Sequence, residues 1–280
     1  MNAVAFAGEP GAFAEDAVLA AFGDGPRLAR PGFREVFEAV QSGAAEAGVL
    51  PIENSVNGTV REVYDLFLEF DLSIVGEVVV PVELCLAALP GQSIGSIERV
   101  YSHIQALGQA ERYLRSQPWT LLTTYNTAGS GRLIAERAET GAAAVLSRRA
   151  AGVFGLEILA ERIQDVADNR TRFVVVAPEG SNAVSESLRV PTGSPWRTTL
   201  AFAVRNEPGT LLRALGVFAA RGVNLSSLES RPSRSVAWEY VFWVDLDAAA
   251  HEPAAAGAIA DLLAVTTMVR VLGSYPRASE

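Results

Sequence analysis

Residues 49–68 read VLPIENSVNGTVREVYDLFL, an apolar run, a polar turn and an amphipathic segment in succession. The run Val49–Ile52 is typical of a buried strand. From Val60 to Leu68 the apolar residues recur three or four positions apart, so they share one face of a helix. Thr59 followed by Glu62 suits a capping box at the start of that helix. The stretch therefore predicts a strand followed directly by a helix, the unit from which α/β folds are built.

The same alternation continues on both sides of this stretch. Further strands are predicted at Val4–Ala7, Arg99–Tyr101, Thr120–Thr124, Ala143–Leu146 and Phe173–Val176, and further helices at 33–40, 106–114 and 128–137. Residues 72–90 predict two short strands that meet at a bend. Residues 1–180 are therefore expected to form an α/β domain with largely parallel sheets, in two lobes with hinges near 76–81 and 160–168. Loops at the carboxyl ends of parallel strands converge, so a cleft is expected between the lobes.

A polar stretch rich in Pro, Gly and Ser, residues 181–195, predicts a linker. Beyond the linker the order of predicted strands and helices changes. Strands are predicted at Thr198–Val204, Val223–Leu228, Val236–Val244 and Met268–Leu272, and helices at 210–218 and 254–263. The order βαββαβ over residues 196–277 is that of a ferredoxin-like unit. A unit of about this size seldom holds an active site, but it often pairs with a second copy.

Composition excludes several classes of function. The chain has 280 residues and a formal net charge of −9, so it is a poor candidate for binding nucleic acid or an anionic membrane. Lysine does not occur, which removes Schiff-base chemistry and the P-loop lysine. With two histidines and one cysteine, a His/Cys zinc site is almost excluded and an internal disulfide is impossible. We expect no metal and no cofactor.

The N-terminus lacks the basic segment of a secretory leader and enters directly what reads as a first strand. The longest apolar stretch, 72–90, is interrupted by Glu77, Pro81 and Glu83, so it does not read as a membrane-spanning helix. These features predict a cytoplasmic protein.

Five polar segments stand at helix starts or strand exits, where free backbone N–H groups favour an anion. They are residues 8–15, 51–60, 102–107, 126–130 and 168–173. Each also has an ordinary structural explanation. Ser102 with Gln105 fits a capping box, Asn54 and Ser55 are common turn formers, and Thr127 is a candidate N-cap. Taken singly, none of these segments indicates a particular reaction.

Taken together, they resemble a known family. The segments Pro51-Ile52-Glu53-Asn54-Ser55, Ser102-His103-x-Gln105-Ala106-Leu107 and Asn169-x-Thr171-Arg172-Phe173 are similar to the motif set of prephenate dehydratases. The later segments Gly209-Thr210-Leu211, Asn224 and Glu229-Ser230-Arg231-Pro232 are similar to the phenylalanine-binding ACT domain that follows the catalytic part in that family. The resemblance spans nearly the whole chain. It departs from the family pattern at Ala12, Ala14, Ile104 and Gly129–Gly131.

The resemblance implies a two-lobed catalytic domain like that of periplasmic binding proteins. It also implies the reaction: prephenate loses its ring carboxylate as CO2 and its hydroxyl as water, and phenylpyruvate forms on the route to phenylalanine. The implied catalytic residues are Thr171, Glu53, Asn54 and Gln105. The implied substrate-binding residues are Ser55, Ser102, Asn126, Thr127, Arg172 and Phe173. Arg172 offers a forked donor for a carboxylate, and Thr171 would assist the departing hydroxyl.

Regulation is implied in the same way. L-Phenylalanine is expected to bind the ACT-like unit at Gly209, Thr210, Leu211, Asn224, Glu229, Ser230, Arg231 and Pro232. Pairing of such units would give a homodimer or a homotetramer. Three alternatives stay open at this point: an arogenate dehydratase, a prephenate decarboxylase that does not aromatise its product, and a non-enzymatic amino-acid sensor.

Overall fold

The computed structural model describes residues 3–191, 193–232 and 240–278. The chain divides into two compact units. The first unit contains the residues up to Phe70 together with Val78–Val174, and the second contains Asp71–Glu77 together with the residues from Val175 onward. The boundaries predicted at residues 180 and 195 remain predictions.

The first lobe begins with a strand–helix alternation that follows the sequence pattern closely. Its elements are β1 (Val4–Ala7), α1 (Phe13–Phe22), β2 (Arg27–Arg30), α2 (Phe33–Gln41), β3 (Ala47–Asn54), β4 (Gly58–Thr59), α3 (Arg61–Glu69) and β5 (Ser73–Pro81). Strand β1 pairs in parallel with both β2 and β3, as expected for strands joined by crossover helices. The predicted capping box at Thr59 and Glu62 is wrong. The N-cap of α3 is Val60, whose side chain offers no acceptor.

The second lobe follows β5 and is built around its own sheet. Its elements are β6 (Cys85–Ala88), a 3-10 turn (Ile94–Ser96), β7 (Arg99–Ser102), α4 (Ile104–Gln109), α5 (Glu111–Arg115), β8 (Thr120–Thr123), α6 (Thr127–Arg137), β9 (Ala142–Leu146), α7 (Arg148–Val153) and β10 (Glu157–Ala160). The sheet order is β10-β6-β9-β7-β8. Strands β7, β8 and β9 are parallel, whereas β6 runs antiparallel to both β9 and β10. Apolar side chains pack on both faces of this sheet, and they include Leu86, Val100, Val145, Ala144 and Leu146.

The chain then returns to the first sheet through β11 (Arg170–Ala177). This strand lies between β3 and β5 in the order β2-β1-β3-β11-β5. A strand from late in the chain therefore completes the lobe formed by the first eighty residues. The two-lobed α/β architecture is confirmed. It places residue 171 beside the end of β3, although 117 positions separate Thr171 from Asn54.

The second unit confirms the βαββαβ order. After α8 (Asn182–Ser187) its elements are β12 (Trp196–Val204), α9 (Thr210–Ala220), β13 (Leu225–Pro232), β14 (Tyr240–Leu246), α10 (Pro253–Val265) and β15 (Met268–Pro276). The sheet order is β13-β14-β12-β15, and the pairings β13–β14, β12–β14 and β12–β15 are antiparallel. Of the predicted strand Val236–Val244, residues 236–239 lie outside the described residues.

A buried ion pair fixes an early chain segment within this second unit. The Arg197 guanidinium lies 2.6 Å from a carboxylate oxygen of Glu77, and both side chains are almost wholly buried. Glu77 also accepts a hydrogen bond from the backbone N–H of Ala278. Charges removed from water in this way need close partners, so Glu77 holds β5 against β12 and the C-terminal residues.

In the part of the chain that the structure describes, no helix is long and apolar enough to cross a membrane.

Candidate active site

A cavity of about 720 Å3 lies between the two lobes of the first unit. This size suits a small organic ligand. Its wall combines the Gly8–Ala14 loop, the turn after β3, the starts of α3, α4 and α6, and two residues of β11. Polar or charged side chains on the wall include Asn54, Asn57, Arg61, Glu62, His103, Gln105, Gln109, Tyr125, Asn126, Thr127, Ser147 and Thr171. Strand exits and helix starts therefore converge here, as the sequence predicts.

Asn54 organises the side of the cavity that belongs to the first lobe. Its side-chain oxygen accepts the backbone N–H groups of Val56 and Asn57, which closes the turn after β3. The two protons of its amide nitrogen are shared among three acceptors at the start of β11 and just before it: Asn169 Oδ1 at 2.8 Å, the Arg170 carbonyl at 3.0 Å and Thr171 Oγ1 at 2.9 Å. The Asn54 amide is buried, and unpaired polar groups are costly in that position. These bonds therefore fix the turn and the start of β11 as one piece.

The Thr171 hydroxyl proton is available for a hydrogen bond to a ligand. Its hydroxyl accepts from Asn54, and a hydroxyl also carries one donor. Among the described residues no acceptor takes that donor. Thr171 is 8% exposed and lines the cavity, as does Phe173 two residues along the same strand. The hydroxyl is thus oriented by the protein and available to an oxygen atom in the cavity.

Ser55 acts on the backbone of β11 rather than on the cavity. Its hydroxyl accepts the N–H of Arg170 at 2.9 Å, and its own N–H donates to the Arg170 carbonyl at 2.9 Å. Ser55 is exposed and is not part of the cavity wall. The structure therefore gives Ser55 the role of holding the residue before Thr171.

Glu53 and Arg172 meet each other outside the cavity wall. Their charged groups lie 3.3 Å apart, with the Arg172 side chain 11% exposed and the Glu53 side chain 50% exposed. Successive side chains of a strand point to opposite faces, so Arg172 turns away from the face that carries Thr171 and Phe173. From the sequence, Arg172 is predicted to bind a substrate carboxylate and Glu53 to take part in catalysis. The structure instead brings the two together, on the other face of the sheet.

Ser102 is also off the cavity wall. It is fully buried at the end of β7, and its hydroxyl donates to the Val145 carbonyl of β9 at 2.6 Å. It thereby ties the two central strands of the second lobe at the point where α4 begins. The alternative in which Ser102 and Gln105 form a capping box is wrong, because the N-cap of α4 is His103.

Helix α4 brings three polar side chains to the cavity. His103 accepts the backbone N–H of Gln105 at 3.3 Å, and burial lowers the pKa of its imidazole below the ordinary 6.5. Gln105 lines the cavity, and so does Gln109 one helical turn further on. Gln109 is not among the site residues predicted from the sequence. Its position four residues after Gln105, on the same face of the helix, is the signal that identifies it.

The start of α6 forms the opposite part of the second lobe's wall. Asn126 is its N-cap and accepts the backbone N–H of Gly129. Asn126 and Thr127 both line the cavity, together with Tyr125. A Cβ atom at Gly129 would stand 2.4 Å from the Tyr125 hydroxyl and 2.8 Å from Asn126 Oδ1. Glycine at position 129 therefore leaves room for the side chains of Tyr125 and Asn126.

The two lobes touch along one rim of the cavity. The Ser147 hydroxyl donates to the Gly11 carbonyl at 2.7 Å. The Tyr125 hydroxyl donates to Glu9 at 2.8 Å and accepts from Arg132 at 2.7 Å. These contacts hold the Gly8–Ala14 loop of the first lobe against the second lobe. Ala12 and Ala14 carry no hydroxyl, and Ala12, the N-cap of α1, makes no side-chain cap.

The residues expected to bind phenylalanine belong to the second unit. Gly209 has φ +82° and caps α9, and the Thr210 hydroxyl donates to the carbonyls of Arg205 and Glu207. Asn224 donates to Asp247 at 2.6 Å. Leu211 packs against the core of the unit. The remaining four, Glu229, Ser230, Arg231 and Pro232, form the end of β13.

The chain combines a two-lobed α/β domain that has a polar cleft with a ferredoxin-like unit, and comparison with known proteins identifies the family. The prephenate dehydratase model matches residues 4–181, and the ACT domain model matches residues 198–264. The chain belongs to the prephenate dehydratase family and carries an ACT domain.

Individual relatives are similar over nearly the whole of this chain. The bifunctional chorismate mutase/prephenate dehydratase of Aquifex aeolicus is 39% identical over 98% of this chain and 74% of its own length. The structure of prephenate dehydratase from Arthrobacter aurescens in complex with L-Phe is 32% identical, with a TM-score of 0.87 over 98% of this chain and 90% of that one. GqqA, described as a novel type of quorum-quenching acylase, is 32% identical, with a TM-score of 0.88 over 99% and 98%. Several plant relatives are named arogenate dehydratases.

Proposed function

We propose that this chain converts prephenate to phenylpyruvate by decarboxylating dehydration, as a carbon–oxygen lyase of phenylalanine biosynthesis. The observation that carries the proposal is the Thr171 hydroxyl. It lies on the cavity wall, it accepts from Asn54, and its own proton is left for an oxygen of the ligand. Family membership supports the same reaction.

The reaction needs a donor at the departing oxygen. As the bond between the ring and its carboxylate breaks, the electron pair enters the ring and expels the C4 hydroxyl, which takes up a proton and leaves as water. A threonine hydroxyl is too weak an acid to supply that proton outright. Thr171 instead donates a hydrogen bond that strengthens as negative charge develops on the leaving oxygen, and the proton comes from water.

Neutral amides line the same cavity as this donor. Gln105, Gln109 and Asn126 line the cavity and can orient the substrate oxygens without adding negative charge. Asn54 acts through Thr171, and Ser55 acts through the backbone of β11. We propose positioning roles for Glu53, Ser102 and Arg172, because none of the three lines the cavity. Glu53 and Arg172 contact each other next to Asn54 and Thr171 in the chain, and Ser102 bonds to the Val145 carbonyl just before α4.

Acyl transfer, the chemistry in the description of GqqA, has less support in this cavity. The Ser147 hydroxyl already donates to the Gly11 carbonyl and accepts from the Ala150 N–H. His103 has the Gln105 N–H as its hydrogen-bond partner among the described residues, so it activates no hydroxyl here. A nucleophile paired with a base is what such a reaction requires.

Regulation, assembly and location complete the proposal. The ACT domain binds L-phenylalanine and lowers the activity of the catalytic domain. The chain forms a homodimer or a homotetramer in the cytoplasm. Strand β13 supports the assembly, because it stands at the edge of the sheet and carries Leu228 with 46% of its surface exposed.

The test is a turnover assay on the whole chain. Purified protein is incubated with prephenate, and phenylpyruvate is read by its absorbance in alkali; arogenate is run beside it, with phenylalanine as the product measured. Phenylpyruvate formation above the spontaneous rate supports the proposal. Turnover of arogenate alone would replace prephenate as substrate. A decarboxylated product that keeps its hydroxyl, or no turnover of either compound, would refute the dehydratase proposal.

A further inference from the structure

Three of the cavity-lining side chains are ionisable near neutral pH or carry full charge: Arg61, Glu62 and His103. Burial lowers the pKa of His103, so its imidazole is neutral at pH 7. Arg61 is therefore the one cation on the wall, within the part of the chain that the structure describes. If a substrate with two carboxylates forms an ion pair with the cavity wall, its partner is one of these groups.

Arg61 is free to serve as that partner. Most described arginines contact a carboxylate, and Arg172 in particular lies 3.3 Å from Glu53. Arg61 makes no ion pair or side-chain hydrogen bond to another described residue, and its side chain is exposed at the cavity. Its neighbour Glu62 does not neutralise it through contact. The cavity thus offers an unpaired guanidinium.

The position of Arg61 in its helix is unfavourable for stability. Arg61 is the first residue of α3, and Val60 supplies no side-chain cap. A cation at a helix N-terminus opposes the helix dipole. Residues that break a local rule in this way are expected at functional sites, where another interaction compensates for them.

Resting on the proposed function, we infer that Arg61 binds the pyruvyl carboxylate of prephenate. The choice between the two carboxylates follows from the reaction. The ring carboxylate must lose its charge as CO2 departs, so a guanidinium held against it would stabilise the ground state and slow the reaction. The pyruvyl carboxylate keeps its charge throughout. A cation paired with it binds substrate and transition state equally well.

This placement predicts a particular kinetic signature. Loss of an interaction made equally in both states raises KM and leaves kcat unchanged. The product phenylpyruvate keeps the pyruvyl carboxylate, so its affinity must fall with that of the substrate. The interaction is between partly exposed charges, so added salt should weaken it.

The experiment compares Arg61→Gln, Arg61→Lys and Arg137→Gln with the wild-type chain. Arg137 is a matched control: it is exposed, makes no ion pair with another described residue, and lies at the far end of α6 away from the cavity. KM and kcat for prephenate are measured at low and high salt. Phenylpyruvate binding is measured by calorimetry, which needs no turnover.

We expect Arg61→Gln to raise KM about tenfold or more, with kcat within twofold and a similar loss of phenylpyruvate affinity. Arg61→Lys should keep part of the affinity, and Arg137→Gln should match wild type. High salt should raise the wild-type KM and leave that of Arg61→Gln nearly unchanged. The melting temperature of Arg61→Gln should not fall, because the replaced cation opposes the helix dipole.

Two results would overturn the inference. One is an Arg61→Gln variant that binds both compounds like Arg137→Gln. The other is a raised KM with unchanged phenylpyruvate affinity, which would place the guanidinium on the ring carboxylate. Failure of the proposed function looks different: wild type would not turn over prephenate, while the calorimetric comparison would still report on Arg61.

Discussion

At Thr171 the direction of a single hydrogen bond determines what the side chain can do. Because Asn54 donates, the threonine hydroxyl must donate elsewhere, and the cavity is where it points. We predict that Thr171→Ala lowers kcat about a hundredfold or more, the usual loss for one donor to developing negative charge. Steady-state kinetics with prephenate measure this.

Thr171→Ser is the matched control for that prediction, since it keeps the hydroxyl and loses only a methyl group. It should retain most of the activity. In Thr171→Ala the Asn54 amide still has Asn169 Oδ1 and the Arg170 carbonyl as acceptors, so the melting temperature should change little. An alanine variant within a few-fold of wild type would show that the hydroxyl is not the donor.

At His103 one ring nitrogen accepts the N–H that begins α4. Protonation removes that acceptor, and burial places the folded-state pKa below 6.5. The neutral form therefore dominates above pH 6.5, and its contribution to stability is lost as the pH falls through the folded-state pKa. We predict that activity declines on the acid side with a midpoint below 6.5. His103→Asn keeps a capping acceptor that does not titrate, so the decline of activity on the acid side should disappear in this variant. A pH–rate profile that is the same in both proteins would contradict the assignment.

Residue types were easier to predict than the directions of side chains. Thr171 lies on the cavity wall together with Asn54, Gln105, Asn126, Thr127 and Phe173, and the catalytic and binding roles given to them stay predictions. The same motif does not say which face of β11 meets the cavity, and Arg172 lies against Glu53 and off the cavity wall. Tertiary packing decides which side chains of a strand face the cavity, and here the hydrogen bonds from Asn54 to β11 decide it.

Among the elements, the Gly8–Ala14 loop depends most on one small residue. Gly11 has φ +88°, and a Cβ there would stand 2.5 Å from the Ala150 Cα. Gly11→Ala would force the loop away from α7 and break the bond from Ser147 to the Gly11 carbonyl. We predict a loss of about 2 kcal/mol or more of unfolding free energy, from backbone strain and overpacking together, and a lower kcat/KM.

Gly152→Ala is the control for that element. Gly152 lies in α7, a Cβ there meets no atom within 4 Å, and alanine favours a helix. Its stability in urea should equal or exceed that of wild type. Equal unfolding midpoints for the Gly11 and Gly152 variants would show that the loop tolerates a side chain at Gly11.

Element boundaries show where periodicity stops being informative. The pattern from Ala106 to Leu114 predicts one helix, but the structure has α4 ending at Gln109 and α5 beginning at Glu111. Gly108 weakens the helix and Ala110 leaves helical geometry, with φ −116° and ψ 22°. The apolar face continues across the break, and both Leu107 and Leu114 are buried in one core. The need to bury one face sets the spacing of the apolar residues, whereas the low helix propensity near Gly108 determines where the helix is interrupted.

For the whole molecule, a regulatory ligand acts only through a difference in affinity between two states. If L-phenylalanine bound to the ACT domain weakens substrate binding in the cavity, then a ligand in the cavity must weaken L-phenylalanine binding by the same factor. We predict this reciprocity on the intact chain, with a factor of about 5–150 in each direction. Calorimetry measures L-phenylalanine binding with and without saturating phenylpyruvate, and phenylpyruvate binding with and without saturating L-phenylalanine.

A variant links that measurement to the expected binding residues. The Asn224 amide is oriented by Asp247, and Asn224→Ala should weaken L-phenylalanine binding and reduce inhibition while leaving uninhibited turnover unchanged. L-Phenylalanine that inhibits by competing in the cavity would behave differently. It would remain inhibitory in Asn224→Ala, and saturating phenylpyruvate would abolish its binding rather than weaken it by a fixed factor. Either of those results would place the regulatory ligand in the catalytic cleft and reject the ACT domain as its site.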